Sequence, residues 1–169
     1  MGRGREGLEV RVLGLDPGSE RTGYGCIESA DEGPVRLASG VLHLGPGPLP
    51  QRLARLHAEL CRIFESYAPE SCAVEGLFHH RNARSALILG HARGVCLLVA
   101  AMHGVEVAEY APASVKRSIT GHGTAEKTRV NDMVSRVLGF TPGDALDETD
   151  ALAVALCHLE AARPLRVFE

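Results

Sequence analysis

The spacing of the apolar residues changes near residue 49, and this change constrains the fold more than any other feature of the sequence. Before residue 49 apolar residues alternate with others, as at Leu8, Val10 and Val12, which is the spacing of strands. Over residues 49–67 they recur every three or four positions, as at Leu56 and Leu60, which places them on one face of a helix. The chain therefore begins with strands and continues into helix.

Turn-forming residues divide the chain into ten predicted elements. The predicted strands cover residues 8–15, 22–29, 35–44, 71–75 and 105–110, and the predicted helices cover residues 49–67, 82–102, 114–119, 125–138 and 147–162. Three successive strands indicate an antiparallel meander. The later alternation of strand and helix predicts an α/β fold in which helices flank a mixed five-stranded sheet.

Length and composition are those of one globular domain. The chain has 169 residues and a mass of 18.0 kDa, with 45% hydrophobic and 23% charged residues. We therefore expect a single domain over residues 1–169, with flexible ends at 1–7 and 164–169. The longest apolar run has eight residues, the start lacks an apolar signal region, and the five cysteines form no CxxC pair. These features predict a cytoplasmic protein without a transmembrane segment.

The net charge of −3 counts against a nucleic-acid partner until it is divided along the chain. Residues 79–136 hold eight Lys or Arg and four acids, a local charge of +4, so the remainder carries −7. The chain has two lysines, Lys116 and Lys127, and they flank the loop at residues 121–123. A basic region beside acidic groups is what a nucleic-acid cleaving site requires.

Four carboxylates stand at predicted element ends or in apolar surroundings: Asp16, Glu75, Asp147 and Asp150. Asp16 and Glu75 each end a strand, and parallel neighbouring strands would bring them to one edge of the sheet. Asp147 and Asp150 are three residues apart, so a helix places them on one face. Such a cluster repels itself unless cations neutralise it, and oxygen ligands select Mg²⁺ or Mn²⁺. Two such ions could support an in-line phosphoryl displacement.

Each acid also has a structural interpretation. Asp147 could cap a helix with Asp150 in its first turn, where the helix dipole favours negative charge. Asp16 precedes Pro-Gly and could be a turn residue. Glu75 is harder to explain in this way, because an uncompensated carboxylate at a buried strand end is costly.

Three further features carry two interpretations each. Lys127 stands in the first turn of a predicted helix, where a cation is disfavoured, so it either binds a phosphate or is a solvated lysine beside Glu126. Phe78 either stacks on an unpaired base or fills the core. The small residues Ala86, Gly90 and Gly94 recur along one helix and predict close approach of another helix, within the chain or from a second subunit.

Five ordered blocks of the sequence resemble the RuvC family of Holliday junction resolvases. They are LGLDPGSERTGYG at residues 13–25, AVEGLF at 73–78, NARSALILGHARG at 82–94, VKRSITGHGTAEK at 115–127 and DETDALAVALCH at 147–158. The resemblance implies an RNase H-like fold, a homodimer, and paired nicks in opposing strands of a four-way DNA junction that leave 5′-phosphate and 3′-hydroxyl ends. It also implies two Mg²⁺ per active site, with Mn²⁺ able to substitute, and the RuvA and RuvB branch-migration complex as partner.

The resemblance also implies roles for individual positions. It gives catalytic and metal-binding roles to the four carboxylates, Asp16, Glu75, Asp147 and Asp150, and a catalytic role to Lys127. The implied DNA-binding residues are Phe78, His80, Arg81, Lys116 and Lys127, and the implied dimer interface is Ala86, Gly90 and Gly94. The alternatives are an RNA-directed RNase H-like nuclease of the YqgF type, an ATP-binding lobe of the actin and sugar-kinase superfamily, and a junction-binding module without catalysis.

Overall fold

The computed structural model describes residues 10–76, 82–141 and 146–162, and in these ranges it has the predicted order of elements. The strands are β1 (Arg11–Asp16), β2 (Arg21–Ala30), β3 (Gly33–His43), β4 (Ser71–Glu75) and β5 (Glu106–Tyr110). The helices are α1 (Leu49–Tyr67), α2 (Ala83–Met102), α3 (Pro112–Thr120), α4 (Lys127–Leu138) and α5 (Leu146–Ala161).

The strands form one mixed sheet in the order β3-β2-β1-β4-β5. β1, β2 and β3 pair antiparallel as a meander, with a register shift at Cys26 and Ile27, whereas β4 pairs parallel with both β1 and β5. This arrangement confirms the predicted meander and the predicted mixed five-stranded sheet. It also makes the carboxyl ends of β1, β4 and β5 share one edge.

The two faces of the sheet carry separate cores because side chains alternate along a strand. In β1, Leu13 and Leu15 are buried with residues of α1 and α2, while Val12 is buried on the other face with residues of α3, α4 and α5. Helices therefore cover both faces of the sheet.

Helix α5 lies directly on the sheet, and glycines in β1 and β2 make this contact possible. A Cβ at Gly14 would lie 1.9 Å from the carbonyl oxygen of Ala151, and one at Gly23 would lie 1.9 Å from that of Asp147. Any larger residue at either position would collide with the helix backbone. The buried run from Ala151 to Cys157 shows that α5 is the central helix of the fold.

Within the described residues, element boundaries differ from the predicted ones by up to two residues. The predicted start of β1 at residue 8 lies outside the described residues; Val10, just before Arg11, still pairs with β2, since its N–H donates to the Ser29 hydroxyl and its carbonyl accepts from the Ser29 N–H. Helix α4 begins at Lys127 rather than at residue 125, because Glu126 is extended, with ψ of 151°. The boundaries of α1 and β4 match the prediction residue for residue.

Helix α2 qualifies by length and by its mean hydropathy of 1.7 as a membrane-spanning helix, alone among the helices in the described ranges. This finding stands against the prediction of no such segment, although a helix packed into a protein core meets the same criteria. One face of α2 is packed in this way: Ala92, Cys96, Val99 and Ala100 are buried in the core that α1 shares. The opposite face is exposed at Leu87, Leu98 and Met102.

Candidate active site

Two carboxylates meet at the sheet edge where β1 and β4 end. Asp16 is the last residue of β1 and Glu75 is the last residue of β4, and the two strands are parallel neighbours with Leu15 opposite Val74. The strands therefore deliver both side chains to the same edge, as the sequence predicts. Asp16 lies opposite Gly23 of β2, the glycine over which α5 begins.

Helix α5 brings the other two carboxylates to this edge. Asp147 and Asp150 lie in its first turns, three residues apart and thus on one helix face. Because Gly23 admits the backbone of Asp147, the start of α5 is held against the strand end that carries Asp16. The two strands and the helix converge at a site that contains all four predicted acids.

The pKa of Asp16 shows how strongly these acids interact. Burial, and then the charges of Asp150, Asp147 and Glu75, raise the pKa of Asp16 from 3.8 to about 7. Burial and the charge of Asp150 also raise the pKa of Glu75. A group of carboxylates that oppose one another's ionisation is stabilised by a bound cation. The site thus has the electrostatics of a cation-binding site.

Two cations of the chain contact the acids on α5. The Lys127 ammonium lies 2.6 Å from Oδ2 of Asp150, and Nε of Arg21 lies 3.3 Å from Oδ2 of Asp147. The second pair is an ion contact without hydrogen-bond geometry, and no described residue donates a hydrogen bond to the buried Oδ2 of Asp147. Lys116 is close enough to lower the pKa of Glu75, opposing the effect of burial.

Lys127 has a partner within the carboxylate site. It is half-exposed, and its side chain crosses to Asp150 on α5. Its phosphate-binding role stays a prediction. Burial alone would lower the pKa of Lys127, but the hydrogen bond to Asp150 and the charges of Asp150, Asp16 and Asp147 raise it. Lys127 is therefore a charged member of the carboxylate site.

The residues fit a divalent metal by their chemistry. All four acids supply hard oxygen ligands, and the buried Oδ2 of Asp147 has no hydrogen-bond donor. In this conformation the described residues include no group of three His, Cys, Asp or Glu side chains already gathered at metal-binding distance. Asp147 and Asp150 instead face Arg21 and Lys127, so metal binding requires these two acids to exchange one cation for another.

Arg93 is a site residue that the sequence analysis did not single out. It lies on α2 with only 7% of its surface exposed, and its Nη1 donates to the backbone carbonyl of Glu75 at 2.7 Å. Its Nη2 lies 2.7 Å from Oε1 of Glu109 on β5, an ion contact without hydrogen-bond geometry. Arg93 thus fixes the backbone that carries the Glu75 side chain. The available signal was an arginine within the apolar stretch of α2 that follows Ser85, since a buried arginine requires partners.

Other predicted site residues are divided between the described and undescribed parts of the chain. Phe78, His80 and Arg81 lie outside the described residues, so their predicted DNA-binding roles stay predictions. Lys116 is half-buried on α3. The predicted dimer residues Ala86, Gly90 and Gly94 lie on α2.

The exposed face of α2 is apolar and has no cover from the described part of the chain at its glycines. A Cβ at Gly90 or Gly94 would meet nothing within 4 Å, so the close approach does not come from another described helix. Leu87, Leu98 and Met102 follow the same helical spacing and are 54 to 66% exposed. We call Leu87, Gly90, Gly94, Leu98 and Met102 the outer face of α2.

Comparison with known proteins agrees with this geometry. The family described as crossover junction endodeoxyribonuclease RuvC matches residues 12–158. The protein of that name from Koribacter versatilis is 43% identical over 159 residues, 92% of this chain and 96% of the relative. The one from Myxococcus xanthus is 47% identical over 157 residues, 91% of this chain and 82% of the relative.

Solved structures show the same architecture. The structure of Thermus thermophilus RuvC in complex with a Holliday junction substrate superposes with a TM-score of 0.86 at 34% identity, over 91% of this chain and 95% of that one. The yeast mitochondrial Holliday junction resolvase Ydc2 has a TM-score of 0.65 at 14% identity, over 88% of this chain and 77% of that one, and shares the fold. The predicted RNase H-like α/β fold is thereby confirmed.

Proposed function

This chain belongs to the RuvC family and is a crossover junction endodeoxyribonuclease, and from that premise we propose which of its residues resolve a four-way DNA junction. Two copies nick opposing strands, and at each nick water attacks the scissile phosphorus and the bond to the 3′ oxygen breaks. The products are 5′-phosphate and 3′-hydroxyl ends. Membership of this family accounts for the sequence motifs. The two alternatives, an RNA-directed nuclease and an ATP-binding lobe, are therefore not needed to explain them.

The observation that carries the residue assignment is the convergence of four acids on one sheet edge. Burial and the charges of Asp150, Asp147 and Glu75 raise the pKa of Asp16, and within the described residues the exposed side chains of Arg21 and Lys127 contact the acids on α5. A structural role would not require four acids from three elements at one point. A role in holding cations beside a phosphate does.

As a nuclease of this family the protein uses a divalent metal, and we assign its ligands to Asp16, Glu75, Asp147 and Asp150, with Mg²⁺ as the ion and Mn²⁺ as a substitute. When bound, two such ions lower the pKa of the attacking water and stabilise the leaving oxygen. Arg93 holds the Glu75 backbone, and the glycine contact holds α5, so the ligand positions are fixed before substrate arrives.

The lysines act on the phosphate. Lys127 begins α4, where backbone N–H groups and an ammonium together favour an anion, and with a metal at Asp150 its ammonium would be free to contact the scissile phosphate. Lys116, whose charge acts on Glu75, neutralises phosphates of the same DNA strand. The DNA contacts of Phe78, His80 and Arg81 extend this surface as predictions from the resemblance.

A nicking assay on a mobile four-way junction tests this assignment. The wild-type protein is expected to nick opposing strands with Mg²⁺ and to be inactive with a chelator, while Asp16→Asn binds the junction without cutting it. Asp31→Asn is the matched control, since Asp31 is exposed in the β2–β3 turn. Nicking by Asp16→Asn at the wild-type rate would remove Asp16 from the catalytic set.

The outer face of α2 supports the homodimer. A second copy would cover Leu87, Leu98 and Met102, and Gly90 and Gly94 would let two helices approach closely. Leu98→Asp is therefore expected to sediment as a monomer, whereas Val137→Asp, at an equally exposed apolar residue on α4, keeps the wild-type mass. A wild-type monomer at micromolar concentration would contradict the proposal. Cooperation with RuvA and RuvB and a cytoplasmic location stay predictions.

A further inference from the structure

An open cleft of about 540 Å³ lies next to the carboxylate site and belongs to none of the functions assigned above. Its walls are formed by the side chains of Glu20, Arg21, His43 and Arg52 and by the turn at residues 45–47. Arg21 and His43 face each other across the β2–β3 pair, at the strand ends nearest the site. We call this feature the arginine cleft.

Hydrogen bonds from two arginines of α1 hold the walls of the arginine cleft in place. Arg52 of α1 donates from Nη1 to the backbone carbonyl of Ser19 at 3.0 Å, which ties α1 to the turn that follows Asp16. Arg55 donates from Nη1 to the carbonyls of Leu44 and Pro46 and thereby holds the loop at the cleft. The basic groups are therefore presented by a fixed frame of helix and turns.

The charge of the arginine cleft favours an anion. Arg21 and Arg52 are cations, His43 is exposed, and Glu20 is the one acid among the described lining residues. Glu20 is 85% exposed and only 4.0 Å from Arg52, so it neutralises that arginine weakly. Guanidinium groups match the geometry of a phosphate better than any other side chain.

The location of the arginine cleft indicates which phosphate it receives. Arg21 joins the cleft to the catalytic site, because its Nε contacts Asp147. Arg52 is carried by α1 on one face of the sheet, whereas Lys116 and Lys127 are carried by helices that pack on the other face. Asp147 contacts Arg21 of the cleft and Asp150 contacts Lys127, so a DNA strand that runs from the lysines across the acids of α5 arrives at the cleft.

We propose that the arginine cleft binds the sugar–phosphate backbone of a junction arm, one or more nucleotides beyond the scissile phosphate. This inference rests on the proposed function and adds a second anchoring point to it. Arg21 contacts Asp147 in this structure, and with a metal at that acid the guanidinium would be free to bind the arm phosphate. The DNA strand is then bound on both sides of the bond to be cut, which orients that bond in the active site.

Junctions with single neutral phosphates test the proposal directly. A methylphosphonate is placed at one position after another on both sides of the scissile phosphate, and dissociation constants are measured by fluorescence anisotropy with a chelator and with Ca²⁺. In the wild-type protein, one position beyond the scissile phosphate is expected to weaken binding about threefold or more. In Arg21→Gln that position has no further effect, because the same contact is already lost.

Two additional variants, neither at a residue that contacts Asp147, test whether junction affinity follows the charge of the cleft. His43→Glu is expected to weaken binding at least threefold, and Glu20→Gln to tighten it, since it removes the one acid of the lining. Arg62→Gln is the matched control: Arg62 is an exposed arginine of α1 paired with Glu59 and distant in the sequence from the cleft lining. Arg21→Gln should also lower the slope of log affinity against log salt by about 0.9, the value for one phosphate.

The outcomes separate this inference from the proposed function. If the wild-type protein does not prefer a four-way junction to an unbranched duplex of equal length, the proposed function fails. If it prefers and cuts the junction but Arg21→Gln, His43→Glu and Glu20→Gln all bind like Arg62→Gln, the arginine cleft is not a DNA site. Equal losses in Arg21→Gln and wild type at every neutral position would overturn the proposal as well.

Discussion

At the scale of single residues, three of the four acids of the site have a cation or a proton that a bound metal would replace. Asp150 contacts Lys127, Asp147 contacts Arg21, and Asp16 holds a proton near neutral pH because its pKa is about 7. The chain thus neutralises its own carboxylates by three different means. Each of these arrangements predicts a separate response to substitution or to pH.

Removing Lys127 should affect cleavage far more than stability. The pair with Asp150 is largely exposed, so its loss should change the free energy of unfolding by about 1 kcal/mol or less. In catalysis the ammonium faces a phosphate that gains charge, and loss of such a group typically slows the reaction about 100-fold. We expect this split for Lys127→Met when single-turnover nicking and thermal unfolding are measured together.

Glu126→Gln is the control for Lys127→Met. It removes the acid that a solvated Lys127 would have accompanied, and it should leave both the nicking rate and the unfolding temperature unchanged. If Lys127→Met nicks at the wild-type rate at several salt concentrations, the solvated-lysine interpretation is favoured.

The pKa of Asp16 predicts how stability depends on pH without metal. A carboxyl group with a pKa of 3.8 when unfolded and about 7 when folded binds more protons in the folded state between these values. Stability therefore falls as pH rises from about 4 to about 7, by on the order of a few kcal/mol, and the raised pKa of Glu75 acts in the same direction. Chemical denaturation in a chelating buffer should show this decline.

Two comparisons isolate the contribution of Asp16. Asp16→Asn should flatten the decline, because the amide has no proton to lose. Adding Mg²⁺ should raise the unfolding temperature more at pH 8 than at pH 5, where protons compete for the acids. A wild-type profile that is flat or rises over the same range would contradict the electrostatic account of the site.

At the scale of elements, the contact between α5 and the sheet sets the position of Asp147. In Gly23→Ala the new Cβ would begin 1.9 Å from the Asp147 carbonyl oxygen, a backbone atom that cannot rotate away. The start of α5 must then move, and Asp147 moves with it. We expect Gly23→Ala to lose at least 100-fold in nicking rate while a large part of the protein still folds.

Gly25→Ala is the matched comparison in the same strand. Its Cβ would first meet the side chain of Leu152, which is flexible and lies more than one helical turn beyond Asp147. This variant should lose stability but keep its activity per folded molecule, as measured by nicking after quantifying the folded fraction by circular dichroism. Equal activity in the two variants would show that α5 does not depend on Gly23 for its position.

The elements themselves could be predicted from the sequence because their signals are local. The periodicity of α1 and the short apolar run of β4 gave boundaries that the structure reproduces, and the acids at the ends of β1 and β4 meet as predicted. The bond from Arg93 to Glu75 spans 18 residues, and that from Lys127 to Asp150 spans 23. Such contacts depend on how helices pack across the sheet, which no local pattern encodes.

At the scale of the whole molecule, net charge gives a misleading view of a DNA-binding protein whose acids are the proposed metal ligands. The chain carries −3, yet residues 79–136 carry +4, and four of the acids elsewhere converge at the edge that we propose meets DNA. Two divalent ions at those acids would change −3 to +1. The species that binds DNA is therefore better described by the charge of the metal-loaded protein.

This reasoning predicts that junction affinity depends on divalent metal beyond its effect on ionic strength. Without metal, the acids repel the phosphate that must lie against them; with metal, the same edge attracts it. We expect Ca²⁺, a hard cation with oxygen ligands, to tighten binding of an intact four-way junction about tenfold relative to a chelating buffer of equal ionic strength. Anisotropy gives the affinity, and a gel of the same samples verifies that the junction is uncut.

The gain in affinity with Ca²⁺ should vanish in Glu75→Gln and persist in Glu65→Gln, which changes an exposed acid on α1. Equal affinity with and without metal would mean that the lysines alone overcome the acids, and the carboxylate edge would then be no barrier to DNA.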